Sequence, residues 1–164
     1  MNVVVFGYGN PSRGDDAIGP FLLGRIDEEN HANITCIEDF QLQIDHALDL
    51  NEQDLALFID AGIDTPAPFA FYEIEPTGEL SHTSHALSPQ TVLDVFVKIN
   101  GKAPPPSFIL CVKGKSFGLG EDISEIGTKN LEAAWTFLHT ILANSNVDNW
   151  REKAQAKPTE EEVL

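Results

Sequence analysis

Basic residues are scarce in this chain. Ten lysines and arginines stand against 26 aspartates and glutamates, giving a formal net charge of −16 over 164 residues. So acidic a surface repels nucleic acid and anionic lipid, and neither is expected as a partner. Little of that charge comes from the last residues, where Arg151, Lys153 and Lys157 nearly offset Glu152, Glu160, Glu161 and Glu162. Cysteine is sparse as well. Cys36 and Cys111 sit in apolar stretches without metal-ligand spacing, and are expected as buried free thiols rather than a disulfide. No apolar run approaches the roughly 18 residues of a membrane span, and no charged segment leads into a hydrophobic one as in a secretory signal. A cytoplasmic protein is expected. Three familiar catalytic patterns are also missing: the Gly-x-Ser-x-Gly elbow, the His-Glu-x-x-His helix and the Cys-x-x-Cys pair.

What is present begins at residue 3. Val3-Val4-Val5-Phe6 is a run of β-branched and aromatic residues, and it ends in Gly7-Tyr8-Gly9-Asn10. Such a run suits a strand buried on both faces. Asp15 and Asp16 follow at the mouth of a helix whose apolar spacing is Ile18, Leu22 and Ile26. A dinucleotide fingerprint needs Gly-x-Gly-x-x-Gly opening directly into the helix, but Ser12 holds the third glycine position. A helix N-terminus attracts an anion, and this one supplies its own carboxylates, either of which can cap it. A bound cation or a proton-transfer role therefore fits better than cofactor phosphate.

Further strands are expected at about residues 34–38, 55–59, 69–74 and 108–112. A short helix is expected around 43–50. The helix after Ser88 is cleanly punctuated, with Pro89 at its first position and Gly101 at its end, and Val92, Val95, Phe96 and Ile99 form its apolar face. A last helix, roughly 125–143, carries Leu131, Trp135, Leu138 and Leu142. Residues 1–144 read as one α/β domain, and 145–164 as a polar tail expected to be disordered. Between the strands ending at Ile59 and beginning at Phe69, residues 61–68 hold two prolines and a glycine. A parallel neighbour needs a connection of about a dozen residues, so the fourth strand is expected to run antiparallel in a mixed sheet.

Ligands of open α/β sheets bind beyond the carboxyl ends of the strands. There the first strand delivers Asp15 and Asp16, and the third delivers Asp60. The loop after the fourth can deliver His85, with His82 as its competitor. His31, His46 and His139 lie in or beside helical stretches with no motif around them. Two carboxylates and an imidazole suit a divalent metal with open positions, or a general base with electrostatic partners.

Gly7-Tyr8-Gly9-Asn10 followed by Asp15-Asp16-Ala17-Ile18-Gly19 resembles the opening of the hydrogenase maturation endopeptidases. Asp60-Ala61 and Thr83-Ser84-His85 are similar to that family's second and third motifs, and the match in order and spacing covers about residues 3–142. The resemblance implies a three-layer α/β/α sandwich around a five-stranded mixed sheet of order 2-1-3-5-4, with strand four antiparallel. It implies removal of a C-terminal extension from the nickel-loaded large-subunit precursor of a [NiFe] hydrogenase. Asp16, Asp60 and His85 would serve as catalytic and metal-contacting residues, and the metal would be nickel carried by the substrate or another divalent ion held in the site. Asp15 would cap or orient. Many members carry Asp-Gly-Gly-Thr after strand two. Here Glu38-Asp39-Phe40-Gln41-Leu42-Gln43 stands instead, and it resembles the subgroup serving soluble, NAD-reducing bidirectional hydrogenases.

Two other classes share parts of the pattern. A phospho-acceptor receiver would use Asp60 with the acidic pair and Lys113, and would need strand four parallel after a helix. A nucleotide-binding module would use Glu38 as a ribose acceptor, which Ser12 and the acidic pair oppose.

Overall fold

The computed structural model describes residues 1–78 and 87–155. Five short runs rich in β-branched and aromatic residues form the strands β1 (Val3–Tyr8), β2 (Ile34–Asp39), β3 (Leu55–Gly62), β4 (Phe69–Ile74) and β5 (Ser107–Lys113). Their order is β2-β1-β3-β5-β4. All neighbours are parallel except β4, which runs antiparallel to β5. This is the sheet of the expected α/β/α sandwich, and the short proline-bearing connection before β4 accounts for its reversal. The parallel fourth strand that a receiver requires is not there.

Helices cover both faces of the sheet. Leu55, Leu57 and Ile59 point to one side, where they pack with Ile18, Leu22 and Ile26 of α1 (Ile18–Glu28) and Leu131, Ala134 and Leu138 of α3 (Glu125–Leu142). Val4, Phe6, Ala56 and Phe58 point to the other, against α2 (Pro89–Asn100) and a 3-10 helix at Ile44–Leu50. The rings of Phe6 and Phe58 stack there with centroids 4.7 Å apart. Such two-faced burial is why β1 and β3 read as unbroken apolar runs.

Helix α2 begins and ends as its punctuation predicts. Ser88 Oγ accepts from Thr91 N, and Gly101 closes the helix in the left-handed region at φ 66°. Its buried face differs by one position. Leu93 is fully buried, whereas Ile99 is 55% exposed.

The polar tail expected from residue 145 begins instead with a helix, α4 (Val147–Lys153). Trp150 is fully buried and donates its indole N–H to the Ile141 carbonyl at 2.9 Å, edge-on to Phe108 and Phe71. Arg151 forms a two-pronged contact with Glu73 of β4 at 2.8 and 2.9 Å. Gln155 then pairs with the outer edge of β4, its N–H donating to the Phe71 carbonyl at 2.7 Å. A helix of seven residues with one aromatic anchor has no apolar period to read, which is why composition mistook it for tail. Residues 156–164 lie outside the described residues. Replacing Trp150 with alanine is expected to cost about 3–5 kcal/mol of folding stability, as for other large-to-small changes in a core. Urea unfolding followed by circular dichroism checks this, and an unchanged midpoint would contradict the anchoring role of α4.

Candidate functional site

The rim at the carboxyl ends of β1 and β3 is built by close backbone approach. A Cβ on Gly19 of α1 would stand 2.7 Å from the Tyr8 carbonyl oxygen and 2.9 Å from that of Ile59. Only a bare backbone lets the first turn of α1 lie directly on the strand ends. Gly9 has φ 146°, with the Asp16 carbonyl against the place where a Cβ would sit. The turn therefore folds back on itself, and Asn10 N donates to Asp16 Oδ2 at 2.6 Å. Neither acidic residue caps α1 or the 3-10 turn Gly14–Ala17 before it, contrary to expectation.

Asp15 is fully buried. Its Oδ2 accepts from Lys115 N at 2.7 Å, Ser116 N at 3.2 Å and Ser124 Oγ at 2.7 Å, while Oδ1 accepts from Ser124 N at 2.7 Å. Its own N–H donates to the Ser116 carbonyl at 2.8 Å. Burial alone raises the carboxyl, but these bonds outweigh it and hold Asp15 below the ordinary carboxylate range. Ser124 also caps α3 by accepting from Gly127 N. Asp15 thus ties the turn after β1 to the glycine-rich loop after β5 and to the start of α3. Nothing in the sequence pointed to these partners, 100 to 109 positions away.

Asp60 takes the opposite course. It sits at the end of β3, paired in register with Cys111 of β5. Burial pushes its carboxyl up to about 7. The Asp16 charge adds to the rise, while hydrogen bonds from Ala61 N, at 2.8 Å, and from the Tyr8 hydroxyl hold it back. Tyr8 is itself raised well above its ordinary value by burial and by the Asp60 charge. Cys111 is pushed up to about 11, chiefly by burial, and its thiol lies 3.1 Å from Thr65 Oγ1. The thiol is therefore protonated at neutral pH and is no nucleophile. Tyr8, Thr65 and Cys111 are site neighbours that the sequence did not mark, since each stands in an otherwise ordinary strand or turn.

Two of the three expected residues, Asp16 and Asp60, meet at this rim. The third, His85, lies outside the described residues, as does His82. The metal site expected of Asp16, Asp60 and His85 does not stand. Among the described residues no group of three or more His, Cys, Asp or Glu side chains is arranged to hold a metal ion. Both carboxylates instead accept hydrogen bonds from the protein, Asp16 from Asn10, and Asp60 from Ala61 and Tyr8. The expectation of nickel, or of another divalent ion, as cofactor is corrected with it.

The mouth of α1 also carries two carboxylates, which oppose a nucleotide phosphate. Asp16 engages the turn, and Asp15 takes up the N–H groups of Lys115, Ser116 and Ser124. Of the remaining histidines, His46 is buried and accepts from Gln43 N at 2.8 Å, closing a reciprocal cap on its 3-10 helix. His139 pairs on the surface with Glu29 at 3.1 Å.

Substituting Asp15 and Asp60 moves stability in opposite directions. Asp15 has a depressed folded value, so its contribution is present above about pH 4 and is lost as pH falls through that folded value. Asp15→Asn should cost about 3 kcal/mol at pH 7, by leaving backbone donors unpaired. That cost should shrink at pH 3. Asp60 has a raised folded value, so stability falls as pH climbs from about 4 to about 7. Asp60→Asn should therefore gain about 1–2 kcal/mol at pH 8 and nothing at pH 4. Urea denaturation across this pH range reads both, and the same sign for the two variants would refute the assignment.

No protein-family model and no curated protein matches the chain. Solved structures do. The [NiFe] hydrogenase maturation protease HycI from Thermococcus kodakarensis KOD1 is 23% identical, with a TM-score of 0.66 over 87% of this chain and 93% of that one. The hydrogenase maturating endopeptidase HybD from E. coli is 17% identical, with a TM-score of 0.69 over 89% and 94%. A hydrogenase 2 maturation peptidase from Thaumarchaeota archaeon SCGC_AB-539-E09 is 21% identical, with a TM-score of 0.63 over 87% and 99%. At such identities the likeness is one of fold, and the chain shares the fold of these peptidases along nearly their whole length.

Proposed function

We propose that this protein is an endopeptidase that processes the precursor of a [NiFe] hydrogenase large subunit, using Asp16 and Asp60 as its acid–base pair. The observation that carries the reading is the meeting of these carboxylates at the carboxyl rim of the sheet. Burial and the Asp16 charge raise Asp60 to about 7. Its protonated form is then available near neutral pH to donate a proton, while Asp16 accepts one from the attacking water. A carboxyl raised by its surroundings beside a second carboxyl is a recurring arrangement for such a division of labour. The similar structures support the substrate class, since they are those of hydrogenase maturation proteases.

The chemistry follows from those roles. Asp16 draws a proton from water as its oxygen adds to the scissile carbonyl. Asp60 gives its proton to the carbonyl oxygen, the proton held by Asp16 passes to the departing amine as the C–N bond breaks, and the diol hydroxyl returns a proton to Asp60 as the carbonyl re-forms. Tyr8 holds the Asp60 carboxyl in place through its hydroxyl. His85 belongs to the proposal as a third catalytic side chain, on the sequence pattern alone. Residues 38–43 favour the precursor of a soluble, NAD-reducing bidirectional hydrogenase, and a cytoplasmic site of action accords with that. Among the described residues no helix is long and apolar enough to cross a membrane.

Incubation with such a precursor, followed by mass spectrometry, should yield a shortened large subunit. Asp16→Asn and Asp60→Asn should each lower the rate by about 100-fold or more, the scale of general acid–base assistance. His85→Ala is the third arm. Absence of a shortened product, or normal processing by both aspartate variants, would defeat the reading.

The raised value of Asp60 has a separate readout. As an acid it loses its proton as pH rises, so processing should fall above about pH 7. Carbon-13 NMR of the Asp60 carboxyl should titrate near 7 in the parent. It should titrate lower in Asp16→Asn, which removes the neighbouring charge, and higher in Tyr8→Phe, which removes a hydrogen bond to the ionised form. No displacement in either variant would show that the three groups do not interact.

A further inference from the structure

Beside Asp16 lies an open groove of about 560 Å³. Its apolar lining comes from Pro11, from Ala17, which follows Asp16 in the chain, from Pro20 and Phe21 of α1, and from Ile123 before α3. Phe21 is 47% exposed, which is unusual for a ring on a helix that otherwise buries its apolar face. Glu38, Glu121 and Asp122 stand around these apolar groups, and no lysine or arginine lines the groove. Glu121 is engaged by Ser116 Oγ and Gly118 N. Glu38 and Asp122 are exposed and have no partner among the described residues.

The Phe21 ring already takes a cation from one side. The Arg25 guanidinium carbon lies 4.8 Å from the Phe21 ring centroid, held there by Glu132 at 2.7 and 3.1 Å. An exposed ring bordered by unpaired carboxylates suits a second cationic side chain, because ring and carboxylates attract it together. The larger groove at the opposite end of the sheet has no such preference. Glu73, Glu75, Lys102 and Arg151 line it with both signs, and Arg151 is already paired with Glu73.

We propose that the groove of Phe21, Glu38 and Asp122 docks a lysine- or arginine-bearing apolar segment of the protein substrate and so lays the substrate alongside Asp16. This deepens the peptidase reading and rests on it. Apolar side chains of the segment cover Pro20, Phe21 and Ile123, and its basic side chains meet Glu38 and Asp122. The site then binds its substrate partly through a surface one helical turn from the chemistry, which lets affinity and turnover vary separately.

The test uses the full chain and the large-subunit precursor, with processing rate and binding measured in parallel. Binding is read by fluorescence anisotropy of labelled precursor on an Asp60→Asn background, so that it does not depend on cleavage. A Glu38→Gln/Asp122→Asn double variant should raise KM and Kd about tenfold at low salt while kcat stays within about twofold. The difference should fade at 0.5 M salt, where exposed charges are screened. Phe21→Ala should raise Kd in the same direction at either salt concentration. An Asp45→Asn/Glu52→Gln variant, which removes the same charge elsewhere on the exposed surface, should bind like the parent.

Cleavage with unchanged KM and Kd in the groove variants overturns the docking surface and leaves the peptidase reading in place. Binding that the groove variants weaken, without cleavage by the parent, upholds the surface and defeats the peptidase reading. Equal weakening by the remote variant overturns the surface in favour of a general acidic field. So does the absence of any binding.

Discussion

The rim of this protein hangs on one buried carboxylate. Asp15 gathers donors from Lys115, Ser116 and Ser124, and through them it joins the turn after β1, the loop after β5 and the first turn of α3. A charge removed from water is costly unless the surrounding dipoles replace its hydration. Here two peptide N–H groups from one loop, and an N–H and a hydroxyl from the next element, do so. The two loops that border the rim are consequently held by the same atom pair. Asp16, next in sequence, inherits its position from that fixture.

Three aspartates within one region meet three different environments. Asp15 is ringed by donors and is held in its ionised form. Asp16 is partly open and takes one backbone N–H from Asn10. Asp60 is half-buried, with fewer donors and a like charge nearby, and its carboxyl is pushed up to about 7. The residue type is the same, and the backbone around it decides the outcome. A fold that holds one carboxylate firmly can tolerate another that is destabilising where chemistry is wanted. The cost at Asp60 accords with the catalytic role proposed for it.

Much of this was legible in the sequence, and for identifiable reasons. Continuous apolar runs marked the strands buried on both faces, Ser88, Pro89 and Gly101 bounded α2, and the short connection at 61–68 forced β4 to reverse. The convergence of Asp16 and Asp60 followed from their places at strand ends. What escaped notice depends on contacts between distant residues. The donors of Asp15 lie about a hundred positions away, the Tyr8 hydroxyl bonds across to a neighbouring strand end, and Trp150 fills a core assembled from β4, β5 and α3. The expected metal site fell for a related reason. A list of ligand-type residues does not say which of their oxygens the protein itself will occupy.

The C-terminal helix has a bearing on how these molecules meet one another. Among the described residues β2 pairs with β1 alone, so one margin of the sheet keeps its free peptide groups. The other margin, β4, is overlaid by α4, by the Arg151–Glu73 contact and by Gln155. Growth of a fibre by strand addition needs two open margins on every unit. Molecules that met margin to margin through β2 would stop at a pair. Longer assembly would first require α4 to peel from β4 and draw Trp150 out of the core, so a small helix with one tryptophan also sets a limit on polymerisation.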